Sequence, residues 1–140
     1  MEKPEWPLLV FQDDTTLEIC ESLEVARREY EGIDVEARVY LFFDFSGVPV
    51  QPVFIIPNHH SKFLGLIPSC SSGEFEFERD LTSRPHDIAL ALSNAEHLTK
   101  NQLFETLDDV CHHLERRGCC MEQYYNDRES KKQNRVGGGF

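Results

Sequence analysis

The residues best suited to chemistry in this chain are six histidines and five cysteines, and their spacing matches no standard metal site. Zinc ligands usually recur at fixed offsets, such as a Cys-x-x-Cys pair or two histidines four residues apart on a helix. The chain has neither pattern, and the members of its two His-His pairs must point apart. We therefore predict no metal site. The residues concerned are His59, His60, His86, His97, His112, His113, Cys20, Cys70, Cys111, Cys119 and Cys120.

Cys70 is the candidate nucleophile, because it lies in a serine-rich segment just before a predicted strand. A reactive thiol is usually exposed and has a neighbouring base or cation that lowers its pKa. No local signature places such a base beside Cys70, and the glycine-rich phosphate-binding motifs are absent. We predict no catalytic residue and no cofactor, and we expect the protein not to be an enzyme.

The charge of the chain points to the kind of partner it could bind. The formal net charge is −11, and residues 1–36 hold eleven acids against three bases. Such a chain should repel nucleic acid and anionic membranes, for which attraction to negative charge dominates binding. A basic protein is the complementary partner. The alternative is that the acids serve solubility alone.

The clearest structural pattern lies in residues 35–57, which we predict to form a β-hairpin that supplies much of the core. Apolar and polar residues alternate over its first half, and a period of two is typical of a strand. Asp44 and Gly47 fit the first and last positions of a type I turn. Pro49 and Pro52 lie in the returning arm, which we expect to be an edge strand or to be bulged until about Val53. The alternation places Val35, Ala37, Val39, Leu41 and Phe43 on one side and Glu36, Arg38, Tyr40, Phe42 and Asp44 on the other.

Shorter elements precede and follow this hairpin. The first predicted helix begins at Ser22, a residue type that caps helices well. Residues 74–78 alternate strictly between glutamate and phenylalanine, which indicates a strand with one buried and one solvent-exposed face. The predicted elements are strands at 7–12 and 17–20, a helix at 22–31, loops at 58–61 and 69–73, and a second hairpin at 63–80.

Helical patterns dominate the last third of the chain. Residues 88–98 have an apolar stripe at helical spacing, although 88–92 also fit a strand, and both alternatives stay open. Thr99 and Gln102 have the spacing of a capping box, so we predict a helix over residues 100–117.

These elements predict an α+β fold: a mainly antiparallel sheet of four to six strands with two or three helices packed on it. A chain of 140 residues is typical of one domain. We predict a single domain over residues 1–124. Residues 125–140 are polar and end in glycines, so we expect a disordered tail there.

A binding surface is the remaining candidate site. The acids of the predicted strands could merge into one acidic sheet face on which two aromatic side chains are exposed, and aromatic residues are enriched at interface cores. The alternative is that a helix covers this face and makes both aromatic residues part of the core. The predicted partner-binding residues are Glu36, Tyr40, Phe42, Asp44, Glu74, Glu76 and Glu78.

We therefore expect a non-enzymatic, cytoplasmic protein-binding protein. An odd number of scattered cysteines indicates reduced thiols, and the acidic, proline-broken start does not resemble a secretory signal. Within this class, small size and acidity favour an immunity or inhibitor protein that neutralises a basic toxin or nuclease. A regulatory or scaffolding module is the alternative, and a small enzyme or metal-binding protein is a further one.

Overall fold

The computed structural model of the protein describes residues 2–30, 40–56, 59–63, 67–71, 74–81 and 87–137. No helix in these ranges combines the length and hydropathy of a transmembrane segment. In chain order the elements are β1 (Leu8–Gln12), β2 (Thr16–Cys20), α1 (Leu23–Glu29), β3 (Tyr40–Phe43), β4 (Pro49–Ile56), β5 (His59–Phe63), β6 (Ile67–Ser71), β7 (Glu74–Arg79), α2 (Asp87–Asn94), β8 (His97–Leu98), α3 (Leu107–Arg116) and α4 (Glu122–Gly137).

Six of the strands form one sheet in the order β7-β4-β3-β1-β2-β8. All neighbours are antiparallel except β2 and β8, which are parallel. With its four helices, this mostly antiparallel sheet confirms the predicted α+β class. Residues 88–92 belong to α2, so the helical alternative is the correct one.

The sheet is buried on both faces around β1, whose continuous apolar run is typical of such a strand. On one face, α1 packs on a cluster that includes Val10 and Phe75. On the other face, the helices α2, α3 and α4 pack on a cluster that includes Leu9 and Phe43. Neighbouring residues of one strand therefore belong to different cores.

The hairpin between β3 and β4 forms as predicted from Tyr40 to Ile56, whereas residues 35–39 and 57 of the predicted hairpin lie outside the described part of the chain. The N–H of Gly47 donates to the carbonyl oxygen of Asp44 at 3.0 Å, which closes the turn. Gly47 has a φ of +85°, and a Cβ added there would lie 2.5 Å from the Cys119 sulfur, so both backbone and packing require glycine.

The prediction that the returning arm is an edge strand is wrong, because β4 lies between β3 and β7. The bulge is also farther along than expected, between Phe54 and Ile56. The described pairing with β3 covers only Val50 and Pro49, so it ends before Pro52 and requires no N–H from that residue.

The loops predicted at 58–61 and 69–73 are also wrong over their described residues, which are 59–61 and 69–71. The strands β5 and β6 pair with each other in a separate two-stranded ribbon, from His59 opposite Ser71 to Phe63 opposite Ile67. The strand β7 pairs with β4 and not within a hairpin at 63–80. Polar composition suggested a loop there, but two strands can pair through their backbones whatever their side chains.

The predicted capping box at Thr99 is wrong by about two helical turns. The helix α3 begins after Thr106, whose hydroxyl accepts from the Asp109 N–H at 3.1 Å, while the Asp109 carboxylate accepts from the Thr106 N–H at 3.1 Å. Before it, the Asn101 side chain accepts from the N–H groups of Leu103 and Phe104 and holds the chain in a turn. A local side-chain turn thus replaces the first predicted helical turns.

Where the sequence predicted a disordered tail, the structure has the helix α4, which packs on α2. Tyr124 is buried, and the Arg128 guanidinium lies 5.0 Å from the centre of its ring. Arg128 and Lys131 donate to the carbonyl oxygens of Ala95 and Ser93, each at 3.2 Å. Two cations from α4 therefore bind carbonyl groups at the end of α2, where a positive charge is favourable.

Candidate functional site

One half of a sheet face is not covered by the described helices. The helices α2 to α4 pack over β1, β2 and the end of β3. On the same side of β4 and β3, Ile55 and Leu41 are 55% and 56% exposed, Gln51 is exposed and Val53 is half-buried. Apolar side chains therefore remain at the surface of an otherwise packed sheet.

Three glutamates border these apolar side chains. The register places Glu78 opposite Gln51 and Glu76 opposite Val53, so the acids of β7 lie on the same side of the sheet. Gln51 donates from Nε2 to Glu78 at 2.7 Å. We call this surface the open acidic face. It consists of Leu41, Gln51, Val53, Ile55, Glu74, Glu76 and Glu78.

A cation from the opposite side reaches this face around the edge of the sheet. Arg27 of α1 donates from Nε to the Phe75 carbonyl oxygen at 2.8 Å, and its guanidinium lies 4.0 Å from Glu76. Both side chains of this ion pair are about as exposed as a surface pair, so it is weak and leaves Glu76 able to meet other cations.

Tyr40 and Phe42 do not lie on the open acidic face but in or against the core cluster under α1, so the alternative in which a helix covers these aromatic residues is the correct one. Phe42 is only 5% exposed, and its ring centre lies 4.7 Å from that of Phe77. The ring of Tyr40, which is half-buried, lies 4.8 Å from that of Tyr30 on the α1 side. Alternation puts Phe77 and the glutamates of β7 on opposite faces, and Phe42 belongs with Phe77. Glu36 lies outside the described residues.

Asp44 was expected on the acidic surface, but it is fully buried. Its Oδ1 accepts hydrogen bonds from the N–H groups of Ser46 and Val48 and from the Ser46 hydroxyl, at 2.8 to 3.0 Å. Its Oδ2 accepts from the Glu5 N–H at 3.1 Å and from Arg79 Nε at 2.6 Å. Asp44 therefore holds the turn, the amino-terminal segment and β7 together.

The Asp44 carboxylate remains charged in spite of its burial. Burial by itself raises a carboxyl pKa, but the hydrogen bonds from Glu5, Ser46, Arg79 and Val48 outweigh it, and the pKa of Asp44 is lowered. Because both of its carboxylate oxygens accept hydrogen bonds within the protein, Asp44 has a structural role and is not available to bind a partner.

Of the histidines and cysteines whose side chains are described, His113, Cys20, Cys111 and Cys119 are buried or half-buried, whereas His97, His112 and Cys120 are exposed. His113 Nε2 lies 2.7 Å from the Phe45 carbonyl oxygen and therefore donates to it. Burial raises the pKa of the Cys20 thiol to about 11, and it also raises the pKa of Cys111 and Cys119. Within the described ranges there is no group of three or more potential metal ligands. The side chains of His59, His60, Cys70 and His86 lie outside the described part of the chain.

A groove adjoins the open acidic face where α2 ends over the sheet. Its volume is about 360 Å³. Leu41 belongs both to the open acidic face and to this groove, so the two surfaces are continuous. The groove is lined by Phe11, Gln12, Asp13, Thr15, Leu41, Ala91, Asn94 and Ala95.

Comparison with known proteins gives no match for this chain, whether with family models, with curated proteins or with solved structures. The candidate binding surfaces of the described residues are the groove and the open acidic face beside it. Of the seven residues predicted from the sequence, three lie on this face: Glu74, Glu76 and Glu78.

Proposed function

We propose that the protein is a non-enzymatic protein-binding protein whose open acidic face receives a basic partner. The observation that carries this proposal is the combination of exposed Ile55 and Leu41 with the glutamates of β7 on one sheet face. Protein interfaces commonly have an apolar centre with a polar and charged rim. The partner best suited to this surface has an apolar contact ringed by lysine or arginine.

An immunity or inhibitor protein that neutralises a basic toxin or nuclease fits this surface best. A net charge of −11 adds long-range attraction for a basic partner, which raises association rates. Fast capture is what an inhibitor of a harmful enzyme requires. We place the protein in the cytoplasm, where thiols stay reduced, and the four described cysteines are free.

The proposal is tested by reversing the three acids of β7 together. Binding partners are first recovered from extract of the native cells, and association and dissociation are then measured separately at low and high salt. The triple variant Glu74→Lys, Glu76→Lys, Glu78→Lys should associate at least roughly tenfold more slowly at 0.1 M salt, because electrostatic steering contributes about 10- to 1000-fold. The difference should shrink near 1 M salt, where charges are screened beyond about 3 Å.

The matched control reverses three exposed acids outside this face and gives the same net charge. Glu21→Lys, Glu105→Lys and Glu129→Lys meet this condition. Ile55→Ala should mainly accelerate dissociation, since an apolar anchor acts after the partner has docked. If both triple variants associate equally slowly, net charge alone is responsible and the open acidic face is not the binding site.

Inhibition of the partner separates an immunity protein from a scaffold. An immunity protein abolishes the activity of its partner at a one-to-one molar ratio, whereas a scaffolding module binds its partner without changing that activity. A partner that keeps its full activity when saturated would exclude the inhibitor.

A further inference from the structure

The groove beside the open acidic face has an apolar floor and a polar rim. Phe11 and Ala95 are buried at its floor, and Leu41 forms an exposed wall. Gln12, Asp13 and Asn94, whose side chains carry carboxylate and amide groups, line the same space. A volume of about 360 Å³ is in the range of small ligand sites and is large enough for one long side chain.

The rim of the groove has a negative charge that no residue in the described part of the chain neutralises. None of the eight lining residues is basic. Asp13 is exposed and makes no hydrogen bond or ion pair with any described residue. Asp13 is the one charged residue among these eight, and its carboxylate is therefore available to a cationic ligand, whereas the Ala95 carbonyl oxygen already accepts from Arg128.

We propose that this groove binds an arginine side chain of the basic partner. The aliphatic stem packs against Leu41 and the floor, and the guanidinium group binds the Asp13 carboxylate and the amide oxygens of Gln12 and Asn94. This inference rests on the proposed function for the identity of the partner, but it is tested without that partner.

Arginine fits the groove better than the other candidate side chains do. Its guanidinium group is planar, weakly hydrated and rich in donors, while its stem covers apolar surface. A lysine ammonium is compact and strongly hydrated, so less of it enters a half-open groove. A leucine or phenylalanine side chain would bury the polar rim without supplying hydrogen bonds, which costs free energy.

The position of the groove makes it suitable as an anchor for a partner on the open acidic face. Leu41 pairs with Phe11 in the sheet, and Gln51 pairs with Glu78. Because Phe42 pairs with Val50, Leu41 and Gln51 are the next residues along their strands on the other face. One row across four strands therefore leads from the acids of β7 to the floor of the groove.

The test is an NMR titration of the full chain with short blocked peptides. Acetyl-Gly-Arg-Gly-amide should shift the amide signals of Phe11, Leu41 and Ala91. The citrulline peptide, which has nearly the same shape without the charge, should bind at least roughly tenfold more weakly, because the guanidinium–carboxylate hydrogen bonds are charge-assisted. The peptides with lysine or leucine at the same position should also bind more weakly than the arginine peptide.

Two variants assign the binding to the groove. Asp13→Asn should weaken the arginine peptide severalfold and leave the citrulline peptide unchanged, whereas Leu41→Ala should weaken both. Glu21→Gln is the matched control, since Glu21 is exposed beyond the far end of β2 and should have no effect.

Equal binding of the arginine and citrulline peptides, tighter binding of the leucine peptide, or insensitivity to Asp13→Asn would overturn the proposal. So would shifts at these amides that depend on protein concentration without peptide, because a second copy of the chain would then occupy the groove. The failures can be told apart. If the peptide binds but the reversal of the β7 glutamates leaves partner association unchanged, the arginine site stands and the proposed function fails.

Discussion

Replacing Asp44 should be among the most destabilising single changes in this protein. Asp44→Ala removes the acceptor of five hydrogen bonds and leaves the N–H groups of Glu5, Ser46 and Val48 and the Arg79 Nε–H without their acceptor. Breaking a buried ion pair on one side costs about 3–5 kcal/mol. Since domains are stable by only about 5–15 kcal/mol, we expect Asp44→Ala to remove a large part of the free energy of unfolding.

The charge of Asp44 also predicts a dependence on pH. The pKa of Asp44 is lower in the folded than in the unfolded protein. The contribution of Asp44 to the free energy of unfolding is therefore complete above the unfolded pKa of about 3.9, and it is lost as the pH falls through the folded pKa. The wild-type free energy of unfolding should therefore decrease below about pH 4. Asp44→Asn should remove this part of the pH dependence and cost on the order of 2 kcal/mol at neutral pH, because the amide presents N–H groups to other donors.

Urea unfolding followed by circular dichroism measures these changes, with Glu2→Ala as the matched control. Glu2 also binds Arg79, at 3.2 Å, but its side chain is 49% exposed. An exposed ion pair is worth about 0–1 kcal/mol, so Glu2→Ala should have a small effect. If Asp44→Ala changes the free energy of unfolding no more than Glu2→Ala does, the buried network does not hold the turn and this reasoning is refuted.

Two further predictions concern the last two helices. Thr106→Ala should cost about 1 kcal/mol in urea unfolding because it removes the cap of α3, whereas Gln102→Ala should stay within about 0.5 kcal/mol; equal costs would contradict the capping box at Thr106. Deleting residues 126–140 should lower the melting temperature by roughly 5 °C or more, because the contacts of Arg128 and Lys131 with α2 are lost, while deleting 138–140 should not. A loss of only one or two degrees for the longer deletion would favour the disordered tail predicted from the sequence.

The sequence predicted those parts of the fold that local patterns determine. Ser22 caps α1 through a hydrogen bond from the Val25 N–H at 3.2 Å, and Asp44 and Gly47 form the turn of the central hairpin, as residue types alone indicated. The prediction from the sequence was wrong where two nearby residues could each begin the same helix. Thr99 and Thr106 both start a plausible capping box, and only the Asn101 turn decides between them.

The open acidic face could be predicted only in part, because it depends on which helix covers which half of the sheet. The alternation in β7 correctly placed Glu74, Glu76 and Glu78 on the more exposed side of their strand. Alternation also assigned Tyr40 and Phe42 to one side of β3, but it does not say which side of β3 faces those glutamates. The register that settles this joins Phe42 to Val50 within one hairpin and Phe77 to Pro52, and the second pair joins residues that are far apart in sequence.

The same three glutamates have a second physical role that bears on the proposed function. The strand β7 lies at the edge of the sheet, and exposed apolar residues beside an edge favour pairing with another copy. Part of this edge is already closed, because the Arg79 N–H donates to the Glu2 carbonyl oxygen and Arg27 donates to the Phe75 carbonyl oxygen. The glutamates protect the rest, since two copies would bring like charges together. A surface that repels itself and attracts cations can keep Ile55 and Leu41 exposed until a basic partner covers them, which is the condition that an acidic binding protein has to meet.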